Sequence, residues 1–151
     1  MEVAKVLKLI WLVSFIGVSV ALFYVYSGLP DMVAYSGDEA TSFEYIDKEL
    51  FFYFFLGVIA IINVLLYAIS GKRLIRSNSS QKISRVTSWK FGLGVVVNLF
   101  LVISMIFISI FNSGEKFDYS NFGYLVYFSL ALVVLWIVSL PFVIYSARVR
   151  V

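Results

Sequence analysis

The chain has 151 residues, 62% of them apolar and only 14% charged, with a net charge of +3 and a mean hydropathy of +0.96. A water-soluble domain carries about 25% charged residues, and a chain this short has too much surface to hide so much apolar area from water, so the class is an integral membrane protein. The sequence contains no cysteine and no histidine, which excludes disulfides, Cys/His zinc sites, iron–sulfur clusters, His- or Cys-ligated haem and His-based catalytic triads.

The first uncharged run extends from Leu9 to Pro30, 22 residues, behind Lys5 and Lys8. About 20 helical residues cross a hydrocarbon core of roughly 30 Å, so the run is a first transmembrane helix. It is too long for the apolar core of a signal peptide and ends in Phe23-Tyr24-Val25-Tyr26, where a cleavage site needs small residues; a retained span is expected. Ser14, Gly17, Ala21 and Gly28 fall on one helical stripe, and small stripes mark packing faces in lipid, where close backbone approach replaces the hydrophobic effect.

Ser27-Gly28-Leu29-Pro30 reads as a helix stop and Ser36-Gly37-Asp38 as a turn. Between them, Leu29-Pro30-Asp31-Met32-Val33 resembles the Leu-Pro-x-x-Val element of small multispan bacterial inner-membrane proteins related to SdpI-type immunity proteins. The resemblance covers five of the 151 residues. That pattern continues into a histidine, absent here, so it implies a membrane setting and assigns no functional residue. In the outer loop 31–49, Thr41-x-x-Glu44 has the form of a capping box, followed by Phe43, Ile46 and Leu50 at helical spacing. A helix is therefore expected from Ser42 to Glu49, continuous with the second span. Asp38, Glu39, Glu44 and Asp47 lack calcium-loop spacing and read as a solvated acidic surface, a candidate outer docking surface in place of a metal site.

The second uncharged run is Leu50 to Gly71 and the third Phe91 to Gly114, of 22 and 24 residues. Gly57, Ala60, Val64, Ala68 and Gly71 form a small stripe on the second helix. Gly94, Asn98, Met105, Ser109 and Asn112 form an inward stripe on the third. Asn63 lies eight residues from Gly71 and Asn98 seven from Phe91, which sets two amides at equal depth on antiparallel helices; they are expected to meet, with Ser109 as a further interhelical polar contact. The 72–90 loop between these spans holds Ser77, Ser79, Ser80, Ser84, Thr87 and Ser88. Its second half, with Ile83, Val86, Trp89 and Lys90, reads as an amphipathic helix leading into the third span, its basic residues at lipid head groups.

The fourth run, Tyr119 to Ala147, has 29 residues and contains Pro141, which is expected to kink it. It has no small stripe, so Tyr127, Leu130, Val134 and Ile137, with Trp136 as an anchor, form a candidate face for a partner or for lipid.

Charge sorts by side. Ten basic residues against Glu2 flank the termini and the 72–90 loop, whereas eight acidic residues oppose Lys48 and Lys116 in 31–49 and 115–118. By the positive-inside rule both termini and the 72–90 loop are cytoplasmic, and the aromatic residues Trp11, Tyr67, Trp89 and Tyr145 mark that interface. The basic balance thus records topology, and no nucleic-acid partner is expected.

The expected fold is an all-α, four-helix transmembrane domain spanning residues 1–151. The spans contain no acidic or basic residue, and nothing activates their serines and tyrosines, so no enzyme activity, cofactor or metal is expected. The residues favour a non-enzymatic accessory or scaffold subunit of a larger bacterial inner-membrane complex, partnered by membrane lipids and other integral subunits. A small carrier, immunity or lipid-binding protein with a cavity near Asn63, Asn98 and Ser109 is the alternative.

Overall fold

The computed structural model describes residues 3–36, 43–71, 80–113 and 119–149. In chain order the elements are α1 (Val3–Gly28), β1 (Met32–Ser36), β2 (Glu44–Asp47), α2 (Lys48–Gly71), α3 (Ser80–Phe111), α4 (Tyr119–Val138) and α5 (Leu140–Val149). Four helical segments are long and apolar enough to cross a membrane: Val3–Gly28, Lys48–Ile69, Arg85–Phe111 and Phe122–Ser146.

Helix α3 is the hub. It packs against α1, α2, α4 and α5, whereas among the described residues α4 packs only on α3 and α5. The core fills the space between α1, α2 and α3: Val18, Leu22 and Val25 from α1, Phe51, Phe55 and Ile59 from α2, Leu101 and Met105 from α3. Positions 51, 55 and 59 recur every fourth residue, so one stripe of α2 carries the bulk that reaches its neighbours.

This arrangement corrects the expected roles of the small stripes. Gly17 and Gly28 on α1 and Ala60, Val64 and Ala68 on α2 are exposed, and a Cβ built at Gly17, Gly28 or Gly57 would meet nothing within 4 Å. Phenylalanine on the opposite side of α2 fills the interior, which leaves the small side chains outside. On α3 the inward stripe is as expected, with Gly94, Asn98 and Met105 buried.

The acidic loop is also different from expectation. Residues 44–47 are a strand instead of the first turns of a helix, and α2 begins at Lys48. β2 pairs antiparallel with β1 in the register Met32↔Asp47, Val33↔Ile46 and Ala34↔Tyr45, with an irregularity between Ala34 and Ser36. A cap is worth about 1 kcal/mol; here it competes with a run of ladder hydrogen bonds and with burial of Val33, which is fully enclosed, against partly buried Ile46. Thr41, Gly37, Asp38 and Glu39, the rest of the expected capping box, turn and docking surface, lie outside the described residues. The element that resembles the immunity-protein pattern serves the fold: Leu29 and Val33 belong to the core.

At the other end α3 starts at Ser80 and runs without interruption through the third span, so Ser84, Thr87, Ser88 and Lys90 are helical. The fourth run breaks at Ser139, two residues before Pro141. Proline has no N–H to return to the carbonyl four residues earlier, and the regular helix is interrupted at this place, where the sequence leads one to expect a kink.

Candidate functional site

Asn63 and Asn98 meet at the centre of the α1–α2–α3 core, each at most 2% exposed. The Asn63 Nδ2 donates to Asn98 Oδ1 at 2.9 Å and the Asn98 Nδ2 donates back to Asn63 Oδ1 at 3.1 Å. The pair is not isolated. The Trp11 indole N–H donates to Asn63 Oδ1 at 2.9 Å, and the second Asn98 donor reaches Ser14 Oγ at 3.0 Å. Ser14 in turn donates to the Trp11 carbonyl at 2.8 Å, and Asn63 Nδ2 also donates to the Ile59 carbonyl at 2.9 Å. Four side chains from three helices thus form a circuit. Among the described residues no buried side-chain nitrogen or oxygen lacks a partner.

Trp11 joins this circuit to a ring cluster. Its indole stacks on Phe15 and Tyr67, with centroids 6.3 and 6.0 Å away, and is tilted against Phe91 at 5.4 Å. Gly94 makes the seat: a Cβ there would lie 2.4 Å from Trp11 Cδ1. Trp11 is therefore buried inside the bundle, where an interfacial anchor is expected to turn its ring outward. Ser109 is eleven residues beyond Asn98, about 16 Å along the helix, and does not enter the circuit.

A second tryptophan seat attaches α4. Trp136 lies over Gly92, where a Cβ would come within 2.3 Å of its ring. The Trp136 indole donates to the Trp89 carbonyl at 3.1 Å, and the Trp89 indole donates to the Trp136 carbonyl at 3.1 Å and to Ser139 Oγ at 2.8 Å. Trp136 consequently faces α3 and is no anchor for an outside partner. In an apolar surrounding an indole N–H requires an acceptor, and Gly92 lets the Trp136 ring come close enough to reach the Trp89 carbonyl. The other four residues expected on the outer face are exposed: Tyr127 at 73%, Leu130, Val134 and Ile137.

Three further clamps hold the ends. Asn112, at the C-terminal end of α3, accepts from Ala34 N–H at 2.8 Å and donates to the Ala34 carbonyl at 2.9 Å, so its amide acts as a third strand for β1. Lys48 donates from Nζ to the Leu29 carbonyl at 2.7 Å, satisfying a chain end that α1 leaves open, and sits over the Tyr26 ring. At the other end Lys90 is 3% exposed and donates to the Ile69 carbonyl in the last turn of α2 at 2.7 Å. It clamps α2 to α3 with its ammonium turned into the bundle, where the position of a loop lysine suggests an exposed side chain.

Of the four acidic residues expected to form the outer docking surface, two are described. Glu44 and Asp47 are exposed on β2. Glu44 hydrogen-bonds Tyr35, and this bond, with a little burial and the carboxylate charge, raises the Tyr35 phenol above its usual value. Asp47 lines an open groove of about 610 Å³ with Asp31, Lys48 and Glu49. Among the described residues no group of three acidic side chains is arranged to hold a metal ion.

Trp11, Trp89 and Lys90 are the site residues that spacing did not reveal. An indole or ammonium at the edge of an uncharged run satisfies an interfacial pattern and a buried clamp equally well, and only the seat on a neighbouring glycine or helix end distinguishes them. No protein-family model, curated protein or solved structure matches this chain.

Proposed function

We propose that this chain is a non-enzymatic accessory or scaffold subunit of a larger complex in the bacterial inner membrane, of the secretion, envelope or energy-transducing kind. Both termini and residues 72–90 are assigned to the cytoplasmic side, on the strength of the charge partition. The observation that carries the reading is the placement of α4. One face of it is fastened to α3 through Trp136 and carries the buried Ser129, while Tyr127, Leu130, Val134 and Ile137 look outward along the length of the helix. The interior supports the same reading, because its amides, hydroxyl and indole are spent on one another and fix the register of three helices. Such a body offers a partner a rigid apolar face.

The test is isolation of the tagged protein from its native membrane with mass spectrometry of what accompanies it. Stoichiometric integral-membrane partners are expected. Joint replacement of Leu130 and Val134 by serine should release them while the isolated bundle keeps its stability. Isolation of the wild type as a lone monomer in mild detergent would contradict the proposal.

A further inference from the structure

At the end of the bundle that carries the basic residues, the first turns of α1, the last turns of α2 and the early part of α3 enclose an open groove of about 420 Å³. Its polar lining is Lys5, Lys8 and Thr87, and its apolar lining includes Tyr67, Ala68 and Phe91. Among the described residues that line it, none is acidic. Lys5 and Lys8 are three apart on α1 and so share a face, and Lys8 Nζ stands 5.6 Å from the centroid of Tyr67. Tyr67 and Phe91 are the rings that pack on Trp11, so the floor of the groove is the outer surface of the rigid core.

The surface next to the groove is apolar and open. Leu12 and Ile16 follow Lys8 at helical spacing on α1 and are 45% and 55% exposed; Val64 precedes Ala68 on α2 and is 65% exposed. Ala60 continues this track as an exposed small residue. The stripe on α2 that the fold leaves unused thus leads into the groove.

We propose that this groove is a binding site for an anionic phospholipid: the phosphate is held by Lys5 and Lys8 with the Thr87 hydroxyl, and an acyl chain lies beside Leu12, Ile16 and Val64. Two ammonium groups next to an aromatic floor at the depth of the head groups fit a singly charged phosphodiester, and the apolar track fits only a ligand with a tail. The site requires that the chain sits in a bilayer and is independent of whether α4 docks a partner.

The experiment is native mass spectrometry of the full chain in mild detergent supplemented with either phosphatidylglycerol or phosphatidylcholine. Wild type should retain phosphatidylglycerol in preference to phosphatidylcholine, and the K5A/K8A double variant should lose at least about tenfold of that preference, since each lysine near the surface contributes about 1 kcal/mol. Arg85, exposed on α3 outside the groove, is the comparison: R85A should lose clearly less of the preference than K5A/K8A, no more than one basic residue near the head groups contributes. Equal retention of the two lipids by wild type, or equal loss in R85A and K5A/K8A, would overturn the site. Displacement of phosphatidylglycerol by millimolar inorganic phosphate would overturn the lipid assignment and leave a phosphate site served from the aqueous phase. Unchanged melting of K5A/K8A, expected because both lysines are exposed, separates loss of binding from loss of fold.

Discussion

The α1–α3 and α3–α4 contacts use the same device, a tryptophan laid on a glycine of α3, with different surroundings. Trp11 over Gly94 delivers its N–H to a side chain, Asn63, which is itself paired with Asn98, so the contact ties three helices together. Trp136 over Gly92 delivers its N–H to a main-chain carbonyl and receives one in return, so the contact joins two helices and goes no further. Gly92 and Gly94 are two residues apart and hence on opposite sides of α3. One helix therefore carries a closed core on one side and the attached α4, followed by α5, on the other. In lipid, where apolar burial contributes little between helices, how many neighbours a polar contact reaches decides how much of the structure depends on it.

If that distinction holds, the largest effect comes from filling the core seat. Gly94→Ala places a methyl group against Trp11 Cδ1 and Nε1 and against Leu66, must move the indole off Asn63, and is expected to lower the stability of the bundle by about 3 kcal/mol, the upper range for overpacking. Thermal unfolding in detergent measures it; an unchanged midpoint would show that the indole yields freely. Asn98→Leu comes next. It strips partners from Asn63 and Ser14 at once and should cost about 2 kcal/mol, more than the roughly 1 kcal/mol of a lone interhelical hydrogen bond. The double change Asn63→Leu with Asn98→Leu should cost less than the two single changes added, because the circuit is lost once.

On the α4 side the effects should be smaller and local. Trp89→Phe removes donations to Trp136 and Ser139 and should cost about 1 kcal/mol, with increased hydrogen exchange confined to α4 and α5. Exchange rising equally in α1 would deny the separation. The smallest expected effect lies in the ribbon. The Tyr35 phenol is raised above 10.0, first by its hydrogen bond with Glu44, so the protonated form is favoured in the folded ribbon. Its contribution is complete below the unfolded value near 10 and disappears as pH rises through the folded value. Spectrophotometric titration should show the Tyr35 phenol ionising above the usual tyrosine value, and Glu44→Gln should lower it.

The parts legible in the sequence are those where one physical term dominates. Long uncharged runs gave the four apolar helices, equal distance from the helix ends gave Asn63 opposite Asn98, and the missing N–H of Pro141 gave the break at Ser139. The parts that were not legible involve two terms of similar size. Thr41 and Glu44 carry a local capping signal, yet β2 forms because Val33, eleven residues away from Glu44 in sequence, supplies a partner strand that a local pattern does not contain. The α2 stripe of Gly57, Ala60 and Val64 records low bulk correctly, but bulk alone does not say which side faces the neighbours; Phe51, Phe55 and Ile59 on the other side prevail because they fill the space between three helices. Trp11 and Trp136 have the amphipathic character of interfacial anchors, and their inward direction is set by Gly94 and Gly92 on a distant segment.

The comparison is tested most directly by electron–electron distance measurements on the reconstituted full chain, with spin labels at exposed positions Val13 and Ile61 for the core, and Leu99 and Val134 for the attached helix. Introduced into this background, Gly92→Ala puts a methyl group where the Trp136 ring lies. The predicted result is a broadened Leu99–Val134 distribution with an unchanged, narrow Val13–Ile61 distribution. Broadening of both distributions together would contradict a core of α1, α2 and α3 that stands without α4.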